Sequence, residues 1–219
     1  MRRSNRPKTP TVLQGRSREY GKRYAERLDE AKQKRTAAAV TAKATGKKAK
    51  TIKTPMFGWP TIKKVKLNQH LLPTLKRMTD AHCAYCDAHP VEGVSNETID
   101  HFRPKSKFPR RCCYWSNLYY ACDCCQNHKG EDYAPALLAP DAKDYDFDKY
   151  FIYDHASGEI QINTAATAGD QHRADRTIEL LGLNKSGRPK TRKREARIFN
   201  EKARTDDERQ EWAYRFALD

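Results

Sequence analysis

The chain has 219 residues, 37% of them hydrophobic and 32% charged, with a formal net charge of +15. That length holds one or two domains, and so low an apolar share leaves part of the chain outside any packed core. The charge is lopsided: residues 1–66 carry 20 Lys/Arg against 4 Asp/Glu, so the rest is nearly neutral. No apolar stretch follows the basic start, and none approaches the ~20 apolar residues of a membrane span. The expectation is a soluble, cytoplasmic protein with no signal peptide and no membrane partner.

Residues 1–54 read as a basic arm. Residues 1–17, with scattered Arg, Pro, Ser and Gly, are expected to be disordered. Over 18–44 the composition turns helical, with Tyr20, Tyr24, Leu28 and Ala31 at helical spacing, though so thin a stripe makes a marginal helix. A basic linker follows, rich in Lys from Lys47 to Lys53. The arm suits phosphate binding, since each Lys or Arg on a phosphate releases a counterion; a solvated tail is the plainer reading.

Packing begins at Phe57-Gly58-Trp59-Pro60. A helix is expected over 67–79, with Leu71, Leu72, Leu75 and Met78 inward and Pro73 near its start. It leads into the first of two Cys-x-x-Cys pairs, Cys83/Cys86 and Cys122/Cys125. Four thiolates in two such pairs suit a closed tetrahedral Zn²⁺ site. The seven Cys, an odd number in close pairs, fit metal binding in a reducing compartment better than a disulfide framework. Cys112 and Cys113 are expected to pack, because adjacent Cys chelate one ion poorly. His82 is expected at the surface and Tyr119-Tyr120 in the core.

Between the pairs, 97–102 reads as a strand carrying Asp100-His101, 105–111 as a basic loop, 112–116 as a second strand and 118–128 as a helix. Asp-His supplies both a hard oxygen ligand and a base that works near neutral pH. Phosphodiester hydrolysis needs those two functions and a cation. His101 would deprotonate water, and Asp100 would hold Mg²⁺ or Mn²⁺, with a second ligand at Gln126 or His128. Asn117 either orients the His101 imidazole or its loop, or simply caps a helix. Arg103, Lys105 and Lys129 would grip phosphates.

These residues resemble the HNH (ββα-metal) endonucleases. Cys83-Ala84-Tyr85-Cys86, Ile99-Asp100-His101-Phe102-Arg103-Pro104-Lys105 and the later Leu180-Leu181-Gly182-Leu183-Asn184 look like the PtuB-type nucleases of Septu and retron anti-phage systems. The resemblance covers about residues 67–200. It implies a DNA-cutting enzyme with His101 as general base, Asp100 as ligand to the catalytic ion, Zn²⁺ on Cys83, Cys86, Cys122 and Cys125, and an ABC-type ATPase partner of the PtuA kind. Where the family places His or Asn directly after the last Cys, this chain has Gln126. A non-catalytic zinc module that binds nucleic acid, or one active only in a complex, is the alternative.

Beyond the core at 55–135, residues 136–219 are expected to form a hairpin and helices packing on it. Residues 150–153 and 159–162 flank a Gly-bearing loop, a hairpin signal. Asp170 is placed as the cap of a helix running to Leu181 and stopped by Gly182. A second helix follows over 191–203, with Ile198 and Phe199 inward and its basic run either solvated or on DNA. Trp212 and Phe216 close the chain in a turn packing back. The expected fold class is α+β: a zinc-stapled ββα unit, mostly helical flanks, one β-hairpin and a disordered basic N-terminal arm.

Overall fold

The computed structural model describes residues 1–218. Helix α1 (Ser17–Thr45) buries Gly21, Tyr24, Ala25 and Ala31, all in its first half, while the second half is almost wholly exposed. Gly21 sits against the backbone of Arg110, in a 3₁₀ turn (Pro109–Arg111). A Cβ there would lie 2.1 Å from the Arg110 carbonyl oxygen, so only glycine lets the helix come this close.

The chain then turns back along α1. Arg35 holds the returning segment through Ile52 O at 3.0 Å and Thr54 Oγ1 at 2.6 Å. This brings Phe57 and Trp59 over the middle of the molecule. A short antiparallel pair, β1 (Thr61–Ile62) and β2 (Val65–Lys66), leads into α2 (Leu67–Met78). Helix α2 buries Leu67, Leu71 and Leu75, with Leu72 and Met78 only partly covered. Pro73 lies inside the helix rather than in its first turn. A single turn, α3 (Val91–Val94), precedes the central hairpin.

That hairpin pairs β3 (Glu97–His101) with β4 (Leu118–Cys122), antiparallel, with Glu97 opposite Cys122 and His101 opposite Leu118. Helix α4 (Asp123–Lys129) follows without a loop. The order strand, loop, strand, helix is as expected, but the second strand is not at 112–116. Residues 109–111 and 115–117 form 3₁₀ turns that tuck Cys112 and Cys113 into the core. The apolar run Leu118-Tyr119-Tyr120-Ala121-Cys122 is buried at every position. A strand covered on both faces shows no alternation, so its pattern cannot be told from a buried helix.

Next come α5 (Phe147–Tyr150) and the hairpin of β5 (Phe151–Tyr153) with β6 (Ile160–Ile162), with Phe151 opposite Ile162. Helix α6 (Ala168–Leu180) is capped by Thr167, whose hydroxyl accepts from the Asp170 N–H at 3.2 Å. The cap therefore lies three residues earlier than Asp170, whose carboxylate accepts from the same hydroxyl at 3.0 Å. Helices α7 (Arg188–Asn200) and α8 (Asp206–Glu211) and a 3₁₀ turn (Arg215–Ala217) complete the chain. Phe199 is buried and Ile198 half-buried, while Phe216 stacks on Phe147 with ring centres 4.6 Å apart.

The expectation of disorder at residues 1–17 is overturned. Met1, Ser4 and Leu13 are buried. Ser4 N donates to Pro140 O at 2.9 Å, and the Tyr145 hydroxyl donates to Met1 O at 2.9 Å. Arg6 reaches Asp141 at 2.5 Å and the carbonyls of Trp115 and Leu118 at 2.7 and 3.1 Å. Basic composition suggested solvation, but these arginine and backbone groups find fixed acceptors. One core runs from Leu13 and Tyr24 through Leu71, Tyr120 and Phe151 to Ala217. Among the described residues the fold is α+β, with eight helices and three two-stranded sheets. No described helix is long and apolar enough to cross a membrane.

Candidate metal centre and cleft

The sulfurs of Cys83, Cys86, Cys122 and Cys125 all lie within 4.8 Å of one another and all four residues are buried. A regular tetrahedron with Zn–S of about 2.3 Å places sulfurs about 3.8 Å apart; Cys86 and Cys122 are 3.7 Å apart. Backbone N–H groups already point at the sulfurs, Cys122 N at Cys83 Sγ and Cys125 N at Cys122 Sγ, both at 3.4 Å. Bonds from Cys122, Cys125 and Cys83 hold the Cys86 thiol well below its usual range against the opposing effect of burial. This donor set fits Zn²⁺. Cys124 is exposed and stays outside it. Arg188 is buried beside the cluster; burial opposes its charge, but the four sulfurs outweigh that and raise its pKa. Its Nη1 donates to Leu181 O and Gly182 O at 2.8 and 3.0 Å. That balancing cation comes from a basic run whose pattern alone did not single it out.

Asp100 is buried and held on two sides. Tyr85, inside the first Cys pair, donates its hydroxyl to Asp100 Oδ2 at 2.7 Å. Lys129, the last residue of α4, donates to Asp100 Oδ1 at 3.3 Å, lies 3.1 Å from Oδ2 and donates to His101 O at 2.8 Å. Burial, then the Asp100 carboxylate, pushes the Tyr85 hydroxyl well up, so it stays a donor. Both partners ride on elements pinned by the cysteines, so the cluster sets the position of the carboxylate.

His101 is also buried, but its neighbours differ. Trp59 stacks on the imidazole at 5.3 Å between ring centres and Phe57 meets it edge-on at 5.3 Å. Its Nε2 has no partner among the described residues. The Cys112 backbone raises the ring's pKa, as a carbonyl facing Nδ1 does, and Nδ1 is then the nitrogen that would carry the proton. Nε2 is then the bare nitrogen. Burial, with Lys105 adding to it, lowers the imidazole pKa to about 3, so it is neutral at pH 7.

A cleft of about 280 Å³ brings Asp100, His101, Lys105 and Gln126 together, with Glu131 on its wall. Gln126 Nε2 donates to Ile99 O at 3.3 Å, so the amide oxygen is the atom that could ligate an ion. A carboxylate has about four acceptor positions, so Tyr85 and Lys129 leave room on Asp100 for a cation. Mg²⁺ needs only one or two such oxygens beside water and phosphate, and the donors present fit it.

Other expected site residues lie elsewhere. His128 points away from the cleft: its Nε2 is 3.2 Å from Ser186 Oγ and its ring fills the space beside Gly182, where a Cβ would come within 2.7 Å. It is not placed to be the second ligand, because the helix turn carries position 128 away from position 126. Lys129 is buried on Asp100 and is not available to grip a phosphate. Arg103 does not line the cleft; its guanidinium lies over the rings of Phe108 and Tyr133. Asn117 makes no bond to His101. Its Oδ1 accepts from Arg103 N at 2.8 Å and its Nδ2 donates to Arg103 O and Arg111 O, both at 3.1 Å, which fixes the loop. His82 is buried, with its ring nitrogens at Asp80 O and Trp212 O, rather than on the surface.

Compared with known proteins, the chain matches no family model and no curated sequence.

Proposed function

We propose that this protein is a metal-dependent endonuclease of the HNH (ββα-metal) type that hydrolyses DNA phosphodiester bonds, as the nuclease component of an anti-phage defence system. The reading rests on one observation: Asp100, His101 and Gln126 line one cleft, and the buried His101 Nε2 has no partner among the described residues. Nε2 accepts the proton of the attacking water while Nδ1 keeps the other ring proton and donates it to the Cys112 carbonyl; with its pKa at about 3 the ring is a weak base until the negative charge of an entering phosphate raises it. Asp100 and the Gln126 amide oxygen would hold Mg²⁺ or Mn²⁺. A bound cation of this kind stabilises the charge that develops on the leaving oxygen. Lys105, at the cleft wall, offers a charge to the scissile phosphate. Lys129 and Tyr85 keep Asp100 oriented.

Plasmid cleavage with Mg²⁺ or Mn²⁺ tests this. The His101→Ala variant is expected to lose at least 100-fold in rate, the usual range for a general base. Undiminished cutting by that variant removes the assignment.

The covering of the imidazole by Trp59 and Phe57 favours a second reading, in which the zinc module is weak alone and active only in a complex with an ABC-type ATPase. Cleavage that appears only after such a partner is added supports it.

A further inference from the structure

A second cavity, of about 470 Å³, lies between the β5–β6 hairpin and α7 and shares no lining residue with the cleft. Its wall carries Lys190, Lys193, Arg194 and Arg197 together with Tyr153 and His155. The four cations fall at positions i, i+3, i+4 and i+7, so they share one face of α7. The Tyr153 hydroxyl is buried and has no partner among the described residues. A buried donor left unpaired costs free energy, so this one is suited to an acceptor that arrives from outside. The existing partners of the cations are weak. Arg194 pairs with Glu195 and Arg197 with Glu201 in exposed contacts, 2.8 and 3.7 Å long, of the kind that contributes little. Lys190 has no ion pair among the described residues.

We propose that this cavity is an exosite for the sugar–phosphate backbone of a nucleic-acid strand, distinct from the cleft that holds His101. Seven residues of helix span about 10 Å, longer than one compact anion, so the row suits a strand that carries successive phosphates. Arginine forks match phosphate oxygens bidentately, and the Tyr153 hydroxyl donates to a phosphate oxygen. The His155 ring, 4.7 Å from that of Tyr153, gives a base a face to stack on. An acidic peptide would satisfy the charges but would leave the ring pair without a role. The inference rests on the nuclease reading for its substrate, yet it concerns binding alone.

The test is fluorescence anisotropy with a labelled 20-nucleotide single-stranded DNA, in the His101→Ala background so that nothing is cut. The triple variant Lys190→Glu/Arg194→Glu/Arg197→Glu spares Lys193, whose Nζ holds Ala156 O at 2.6 Å. Its affinity is expected to fall at least 10-fold and its log–log salt slope by about two to three. Tyr153→Phe, which keeps the ring, is expected to cost about fivefold. Zinc content and circular dichroism verify that each variant is folded. Arg77→Glu/Lys143→Glu/Lys202→Glu makes the same charge change at exposed positions outside both the cavity and the basic arm. Equal losses in both triple variants, unchanged binding in the first, or preferential binding of polyglutamate or ATP at the cavity overturns the proposal. A lack of cleavage by the parent protein counts against the nuclease reading and leaves this result readable.

Discussion

His101 has a folded pKa of about 3 against an ordinary value of 6.5, because burial and then Lys105 disfavour its charged form. Between those values the unfolded chain takes up a proton that the folded chain does not. Stability from this group is therefore complete above pH 6.5 and is lost as pH falls toward 3, by up to about 1.4 kcal/mol per unit. Melting of the parent and of His101→Phe from pH 7 to pH 4.5 checks this: the variant's melting temperature is expected to fall less steeply. Identical slopes contradict it. Lys129 gives a second prediction. Replacing it by Met leaves the Asp100 carboxylate buried without its counter-charge, and removing one partner of a buried pair costs about 3–5 kcal/mol. Urea unfolding reads that loss directly. At this scale the four-cysteine group was legible because the spacing within each pair is local. The burial of Lys129 was not, since a lysine after a helical run looks the same solvated or paired.

Helix α1 shows how an element's docking depends on one position. Gly21 lets it approach Arg110, with no room for a Cβ. Gly21→Ala is expected to lift the helix from the 3₁₀ turn and to raise protease cleavage within residues 15–60, while the rest of the chain stays folded. Protection equal to the parent's refutes this. The helix itself was readable from composition, whereas its seat was not, because glycine in a helical pattern marks either weakness or close contact. The central hairpin was half legible. Its first strand carries Asp100-His101 as expected, but the second sits six residues later than its pattern suggested, because full burial erases alternation. His128 and Gln126 were equal candidates by position; the turn of α4 separates them.

Over the whole molecule, the four cysteines join the start of the first Cys pair, the end of β4 and the start of α4. Three sheets of two strands each hold little by themselves. Structural Zn²⁺ contributes apparent folding free energy of about 10–16 kcal/mol in small peptides. Complete zinc removal by a chelator is expected to abolish cooperative melting of the hairpin and to loosen Asp100, because Tyr85 and Lys129 leave with their elements. An unchanged thermal transition in zinc-free protein, verified by metal analysis, sinks that expectation.

By itself the sequence determined the tetrathiolate set, the Asp-His pair between its halves, the β5–β6 hairpin and the helical character of α1, α2, α6 and α7. These depend on residue types at short range, where spacing and turn chemistry act directly. Only the tertiary structure decided that residues 1–17 pack, that Gln126 rather than His128 shares the cleft, that Lys129 is buried on Asp100, and that Trp59 and Phe57 cover the imidazole. Those outcomes depend on which distant groups satisfy one another's charges and hydrogen bonds, and no local pattern carries that information.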